Sequence, residues 1–150
     1  MLHQIRLATP NDRAAIEAIV QAAYFHYVAR IGREPAPMTD DYAARIKARQ
    51  AHVLEEDGRI RGLVVLVPET GVMLLDNIAV DPACQGSGLG GRLLAFAEEQ
   101  ARAQGYRVIR LYTNAAMTEN IARYQRIGYA ETRRDGEKGF RRVYMEKQIG

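Results

Sequence analysis

The chain holds one cysteine, Cys84, which excludes an internal disulfide. It has no apolar run near the roughly 18 to 20 residues a membrane-spanning helix needs. The opening residues, Met1-Leu2-His3-Gln4-Ile5-Arg6, lack the apolar core of a secretory signal. A cytoplasmic protein with no membrane partner is therefore expected. His3, His26 and His52 show no metal-ligand spacing, so no metal is expected. Their scatter also leaves Cys84 without a triad-like base, which favours an incidental turn residue over a nucleophile. Neither sign of charge dominates: the net charge is +3 and the pI is about 9.2. The basic residues are dispersed apart from Arg133-Arg134 and Arg141-Arg142. Although Phe140 and Tyr144 lie nearby, neither pair has the aromatic interleaving of a single-strand binder, and no nucleic-acid partner is expected. A mild positive excess instead suits a polyanionic small ligand. With 150 residues and no repeat, low-complexity stretch or linker, one domain spanning 1–150 is the natural reading.

What is present reads in order as follows. Leu2 to Ala8 alternates like a first strand. Thr9-Pro10-Asn11-Asp12 opens a helix. Its apolar stripe runs through Ile16, Ile19, Val20, Ala23, Tyr24, Tyr27, Val28 and Ile31 to Gly32. After the proline-stiffened Arg33-to-Met38 loop, Asp40-Asp41 starts a shorter helix to about Gln50. These helices serve either as packing elements or as one wall of a substrate cleft. Ala51 to Glu56, Arg59 to Val67 and Val72 to Val80 follow as consecutive strands, the first two joined by the hairpin signal Asp57-Gly58. Asp76-Asn77 interrupts the otherwise apolar third strand, which suggests a bulge or a strand end facing a cleft.

A helix from Leu89 to Gln104 ends at Gly105, and a strand from Arg107 to Thr113 follows. Another helix opens at Thr118 and ends at Gly128. A last hairpin comprises Tyr129 to Arg134, a turn at 135–139, and Phe140 to Lys147. The fold class is α/β, a mixed, mostly antiparallel sheet of about seven strands flanked by about four helices. Exposed C-terminal strands would leave an edge that suits a homodimer.

Between the strand ending at Val80 and the helix from Leu89 lies Cys84-Gln85-Gly86-Ser87-Gly88-Leu89-Gly90-Gly91. A glycine-rich turn there aims backbone N–H groups at a phosphate. A P-loop needs Lys and then Ser or Thr at the helix start, where this chain has Gly91-Arg92-Leu93. A dinucleotide turn needs G-x-G-x-x-G after a first strand, whereas Gly86, Gly88 and Gly90 are spaced by two and follow several strands.

The stretch from Val80 to Gly90 resembles the acyl-CoA signature of the GNAT superfamily of N-acetyltransferases. That pattern, Q/R-x-x-G-x-G/A, is matched by Gln85, Gly88 and Gly90. The resemblance covers nearly the whole chain. It extends to Asn120-Ile121-Ala122-Arg123-Tyr124-Gln125-Arg126-Ile127-Gly128-Tyr129, which is similar to the family's Asn-and-Tyr element. It implies transfer of an acetyl group from acetyl-CoA to a primary amine by direct attack in a ternary complex. Gln85, Gly86, Ser87, Gly88, Leu89 and Gly90 would cradle the CoA pyrophosphate, and Ile78, Ala79 and Val80 would pair with its pantetheine arm. A backbone N–H of Ile78 or Val80 would polarise the thioester carbonyl.

Tyr124 falls where the family often places a general acid, and a phenol stays protonated at neutral pH. A core aromatic is the plain alternative. Asn120, one turn earlier, would hold the CoA arm. Asp76 is the candidate base, with substrate binding or bulge capping as alternatives. The acceptor stays open among small amines, amino acids, peptides and aminoglycosides. Tyr24, Tyr27, the Arg33-to-Met38 loop and the Arg133-to-Phe140 hairpin are expected to form its cleft. The lack of an acidic cluster in those loops argues against a polycation. The competing class is a non-catalytic acyl-CoA-binding regulatory module.

Overall fold

β-Strands send alternate side chains to opposite faces, and this chain uses that rule to build a seven-stranded mixed sheet. In the computed structural model, which describes residues 3–137 and 139–150, the strand order is β1-β2-β3-β4-β5-β7-β6. Five α-helices accompany it among the described residues. None of these helices is long and apolar enough to cross a membrane. The chain divides into two compact units, Met1–Leu66 with Asn77–Ala97, and Val67–Asp76 with Glu98–Gly150.

In the first unit, β1 (His3–Leu7) lies antiparallel to β2 (Ala51–Glu56), and β2 to β3 (Arg59–Glu69). The hairpin expected at Asp57-Gly58 is present, with both residues at positive φ, as a tight primed turn requires. The long first helix expected from the apolar stripe is divided. A single 3-10 turn at Pro10–Asp12 leads into α1 (Arg13–Tyr24), and α2 (Tyr27–Ile31) follows a break at Phe25-His26. No glycine or proline marks the break in the sequence. There the bonding tightens, Val28 N–H donating to the Phe25 carbonyl at 3.1 Å. The break leaves Phe25 73% exposed while Tyr27 is buried. Asp12 does more than favour a helix dipole: its carboxylate accepts two bonds from Arg6 of β1, at 2.8 and 3.1 Å, and the Thr9 N–H at 2.8 Å. The Arg6 guanidinium holds the Asp12 carboxyl below the usual range.

α3 (Tyr42–Lys47) begins as expected, with Asp41 capping the Ala44 N–H at 3.0 Å. It stops short of Gln50 because Arg49 takes the left-handed conformation, φ 60°. Gln50 N–H then donates back to the Arg45 carbonyl at 2.9 Å. This helix stop is usually written with glycine, so the arginine gave no warning.

In the second unit, β4 (Val72–Val80) contributes Val72–Asp76 and β5 (Val108–Asn114) runs parallel to it, with Met73, Leu74 and Leu75 opposite Ile109, Arg110 and Leu111. β7 (Phe140–Gln148) pairs antiparallel with β5, and β6 (Ala130–Glu137) with β7. Ile109, Leu111, Val143 and Met145 are buried on one face. These strands run further than expected into the 135–139 turn, of which Lys138 lies outside the described residues, as does Leu2 of the expected first strand. α5 (Thr118–Arg126) precedes β6.

α4 (Leu89–Ala103) carries the expected stripe, with Leu89, Leu93, Leu94, Ala97 and Ala101 buried. Its first half packs so closely on β3 that Gly62 has no room for a side chain. A Cβ there would lie 2.9 Å from Leu93 Cδ1 and 3.0 Å from the Ala79 carbonyl oxygen. The leucine can turn aside, but the backbone oxygen cannot. Gly62→Ala should therefore cost about 1–3 kcal/mol, the scale of core overpacking. Urea unfolding checks this; an undiminished midpoint would show that α4 and β4 yield freely.

Candidate active site

The path out of β4 is pinned before the glycines begin. Asp81 N–H donates to the Arg61 carbonyl of β3 at 2.8 Å, and its side chain accepts the Ala83 N–H at 3.0 Å. Pro82–Cys84 form a single 3-10 turn, and the Ser87 hydroxyl donates to the Cys84 carbonyl. Gln85, Gly86, Ser87 and Gly88 are exposed. Gly88 has φ +85°, where a side chain would be strained, and its carbonyl accepts the first helical bond, from Arg92 N–H at 3.2 Å. Leu89, Gly90 and Gly91 thus supply N–H groups that helix geometry leaves without intrahelical acceptors. Gly90 differs from Gly88: its φ is ordinary, and a Cβ would only touch Val80 Cγ2 at 3.9 Å. Glycine or alanine both suit that place. The result is an exposed cluster of donors at the positive end of a 15-residue helix, suited to a polyphosphate. The half-buried Cys84 thiol forms no hydrogen bond with a histidine among the described residues.

The two polar residues of β4 do not share a task. The strand continues through both, and they face opposite ways. Asn77 is 5% exposed. Its Oδ1 accepts the Tyr24 hydroxyl of α1 at 2.7 Å, and its Nδ2 donates to the Tyr42 hydroxyl of α3 at 3.0 Å. Tyr42 in turn donates to the Pro37 carbonyl at 2.5 Å. The N-terminal helices are thereby fastened to β4, and Tyr24, expected in an acceptor cleft, directs its hydroxyl into this network.

Asp76 is half-buried, and its Oδ1 accepts the Tyr112 hydroxyl at 3.1 Å. Tyr112 was not anticipated from the sequence. The signal that finds it is register: Leu75 lies opposite Leu111 in the parallel pair, so the next residues along both strands are neighbours. Tyr112 also lies under the Arg142 guanidinium, 4.2 Å from the ring centroid, and beside Tyr144 at 5.7 Å. Burial, reinforced by the Asp76 charge, pushes its phenol up to about 12.

Tyr124 is set by the way α5 ends. Gly128, at φ +105°, lets Gly128 N–H donate to the Gln125 carbonyl at 3.2 Å and Tyr129 N–H to the Tyr124 carbonyl at 3.0 Å. This paired pattern brings together the side chains just inside and just beyond the helix end. Here they are Tyr124 and Tyr129, edge to face at 5.7 Å. Tyr129 is buried, its hydroxyl has no hydrogen-bond partner among the described residues, and burial raises its pKa well above the ordinary phenol range. Tyr124 stays half-buried. Asn120, one turn earlier, turns its amide toward Met117 Sδ at 3.7 Å.

Residues 13–129 match the acetyltransferase (GNAT) family. The chain belongs to that family. This GNAT protein is 29% identical over 134 residues to the uncharacterized N-acetyltransferase YjgM of Escherichia coli (strain K12), covering 83% of this chain and 80% of that one. PaiA N-acetyltransferase of Thermoplasma acidophilum, solved in complex with coenzyme A, matches with a TM-score of 0.82 at 17% identity over 99% of each chain. The yncA protein of Salmonella typhimurium, solved with its cofactor acetyl-CoA, matches at 0.74 and 23% identity, over 100% of this chain and 95% of that one. At such identities the solved structures establish the GNAT fold, and the expected α/β class and family both hold.

The raised phenols give the GNAT sheet a pH signature. Folding tightens proton binding at Tyr112 and Tyr129, so their contribution to stability is complete below about pH 10 and is progressively lost as pH rises to and beyond about 12. The urea midpoint should fall across that window, and less steeply in Tyr112→Phe. Equal slopes would remove Tyr112 from the account.

Proposed function

We propose that this GNAT protein is a cytoplasmic N-acetyltransferase that moves an acetyl group from acetyl-CoA to a primary amine by direct attack in a ternary complex. Residues 1–150 act as one acetyltransferase domain. The observation that carries this reading is the exposed glycine turn at the start of α4, immediately after β4, with Gly88 at positive φ and its carbonyl accepting the first helical bond. The GNAT neighbours solved with coenzyme A or acetyl-CoA support the same donor.

Each residue then takes a role suited to its chemistry. Gln85, Gly86, Ser87, Gly88, Leu89 and Gly90 hold the pyrophosphate through backbone donors and the helix dipole. Ile78, Ala79 and Val80 offer strand hydrogen bonds to the pantetheine arm, and an N–H of Ile78 or Val80 polarises the thioester carbonyl. Bound acetyl-CoA supplies an activated acyl group whose leaving group is a thiolate. Asp76 takes a proton from the incoming ammonium, with the Tyr112 hydroxyl orienting its carboxylate. As the new C–N bond forms and the C–S bond breaks, Tyr124 gives its proton to the thiolate. The second amine proton returns to Tyr124 through solvent, and one net proton is released. Asn120 steadies the CoA arm.

CoA release from acetyl-CoA across an amine panel tests the reading. Turnover is expected, whereas acetyl-CoA binding without turnover would favour a regulatory module. Within that assay Tyr124→Phe should lower kcat about 10²-fold, the usual scale for loss of a general acid; full turnover by the variant would leave Tyr124 as packing. Asp76→Asn should lower kcat/KM and abolish the acidic limb of its pH profile. A wild-type profile in that variant would place the base elsewhere.

A further inference from the structure

Asn77 lies in a chain of hydrogen bonds that has one possible direction. A carbonyl oxygen can only accept, so the Tyr42 hydroxyl donates to the Pro37 carbonyl, at 2.5 Å. The Tyr42 oxygen is left as an acceptor, and Asn77 presents Nδ2 to it at 3.0 Å. Reversing the amide would set its oxygen against the Tyr42 oxygen with no proton between them. Asn77 Oδ1 therefore turns to Tyr24, whose hydroxyl donates to it at 2.7 Å. The same hydroxyl proton is shared with the Ile78 carbonyl at 3.2 Å.

The strand edge that receives Tyr24 follows from alternation. Asp81 N–H donates to the Arg61 carbonyl of β3 at 2.8 Å. The Ala79 carbonyl oxygen lies 3.0 Å from the place a Cβ of Gly62 would take. Both groups face β3. Backbone groups of successive strand residues point to opposite edges, so those of Ile78 and Val80 face the other edge. On that edge the Ile78 carbonyl takes a proton from a side chain. Ile78 is thereby held on both sides. Its N–H lies in the planar peptide unit shared with Asn77, whose side chain is 5% exposed and bonded through both polar atoms. Its carbonyl lies in the next unit, and Tyr24 holds that one.

We infer that Tyr24 is a positioning residue: through Asn77 and the Ile78 carbonyl it fixes the Ile78 N–H, rather than that of Val80, as the donor that polarises the thioester carbonyl. The inference rests on the acetyltransferase reading above. Of the two donors, Val80 adjoins the glycine turn, its Cγ2 lying 3.9 Å from the place of a Gly90 Cβ. Ile78 is the farther from the pyrophosphate seat, as the acyl end of a pantetheine arm must be. A donor to developing oxyanion charge is effective when it is preorganised, and a misplacement of about 1 Å can cost about 10²-fold. Tyr24 touches no reacting atom in this role, and its hydroxyl serves the strand instead of the acceptor.

The test uses the full chain and Tyr24→Phe, which keeps the ring and removes only the hydroxyl. In the ligand-free wild type, nuclear magnetic relaxation should give the Ile78 N–H an order parameter near about 0.85, the range of rigid backbone, with a clear fall in the variant. In isotope-edited infrared spectra of bound acetyl-CoA, the thioester carbonyl band should lie below its solution frequency. The variant should return it most of the way. With an amine that supports CoA release, kcat should fall roughly 10- to 100-fold while both KM values hold. Tyr42→Phe, which deprives Asn77 Nδ2 of its acceptor, should show smaller falls in the same readings, and it carries the test if Tyr24→Phe does not fold. An unchanged Ile78 order parameter, an unchanged carbonyl band or a loss confined to KM overturns the inference. Wild-type CoA release without any displacement of the band sinks the inference and spares the transferase. A displaced band that depends on Tyr24, with no CoA release from any amine, sinks the transferase alone.

Discussion

The parallel register of β4 and β5 is the constraint on which the site depends. A pair set with Leu75 opposite Leu111 must carry Asp76 alongside Tyr112, and a slip of β5 by one residue would turn Tyr112 to the face opposite Asp76. With the register fixed, β4 presents two polar side chains in succession and sends them opposite ways. Asp76 meets a phenol in its own unit, while Asn77 is enclosed by the hydroxyls of Tyr24 and Tyr42. Burying an amide without partners would cost about 1–3 kcal/mol. Supplying them from two helices makes Asn77 a fastening point. Conformational order at the strand thus extends to elements distant in the chain.

A second constraint governs the other end of β4. The glycine turn owes its position to contacts upstream and beneath it: Asp81 bonded to β3, and the missing side chain of Gly62 under Leu93. The two glycines that look alike in the sequence are not equivalent. Gly88 is required by its backbone conformation, whereas Gly90 sits in an ordinary helix conformation with an ordinary contact. That difference explains why a pattern of this kind tolerates alanine at one place and not at the other.

Much of this was legible in the residues themselves. Strong periodicity gave the seven strands, Asp57-Gly58 marked the β2–β3 hairpin, and Gly105 and Gly128 marked the ends of α4 and α5. Elements set by tertiary contacts were less visible. The break at Phe25-His26 carries no breaker residue, and the stop of α3 uses an arginine at positive φ. Asp76 and Asn77 stood out as polar residues in an apolar run, but their opposite partners could not be read locally, since Tyr112 lies 36 positions away from Asp76. Tyr112 itself looked like an ordinary strand aromatic, because only the strand register gives it a carboxylate. The arginines of the hairpin were visible as a pair of doublets, yet the stacking of Arg142 on Tyr112 does not follow from spacing.

The ending of α5 has a consequence for timing. Tyr124 belongs to the same motif that terminates the helix, so its ring is oriented by Gly128 and packed by Tyr129 as soon as the chain folds. A side chain left to search for its place would lose rotamer entropy anew with every encounter, at about 0.5–1.5 kcal/mol for a flexible group. Here that ordering is completed once, during folding. Any reaction that draws on this phenol therefore starts from a prealigned donor, and its rate inherits the rigidity of a helix terminus.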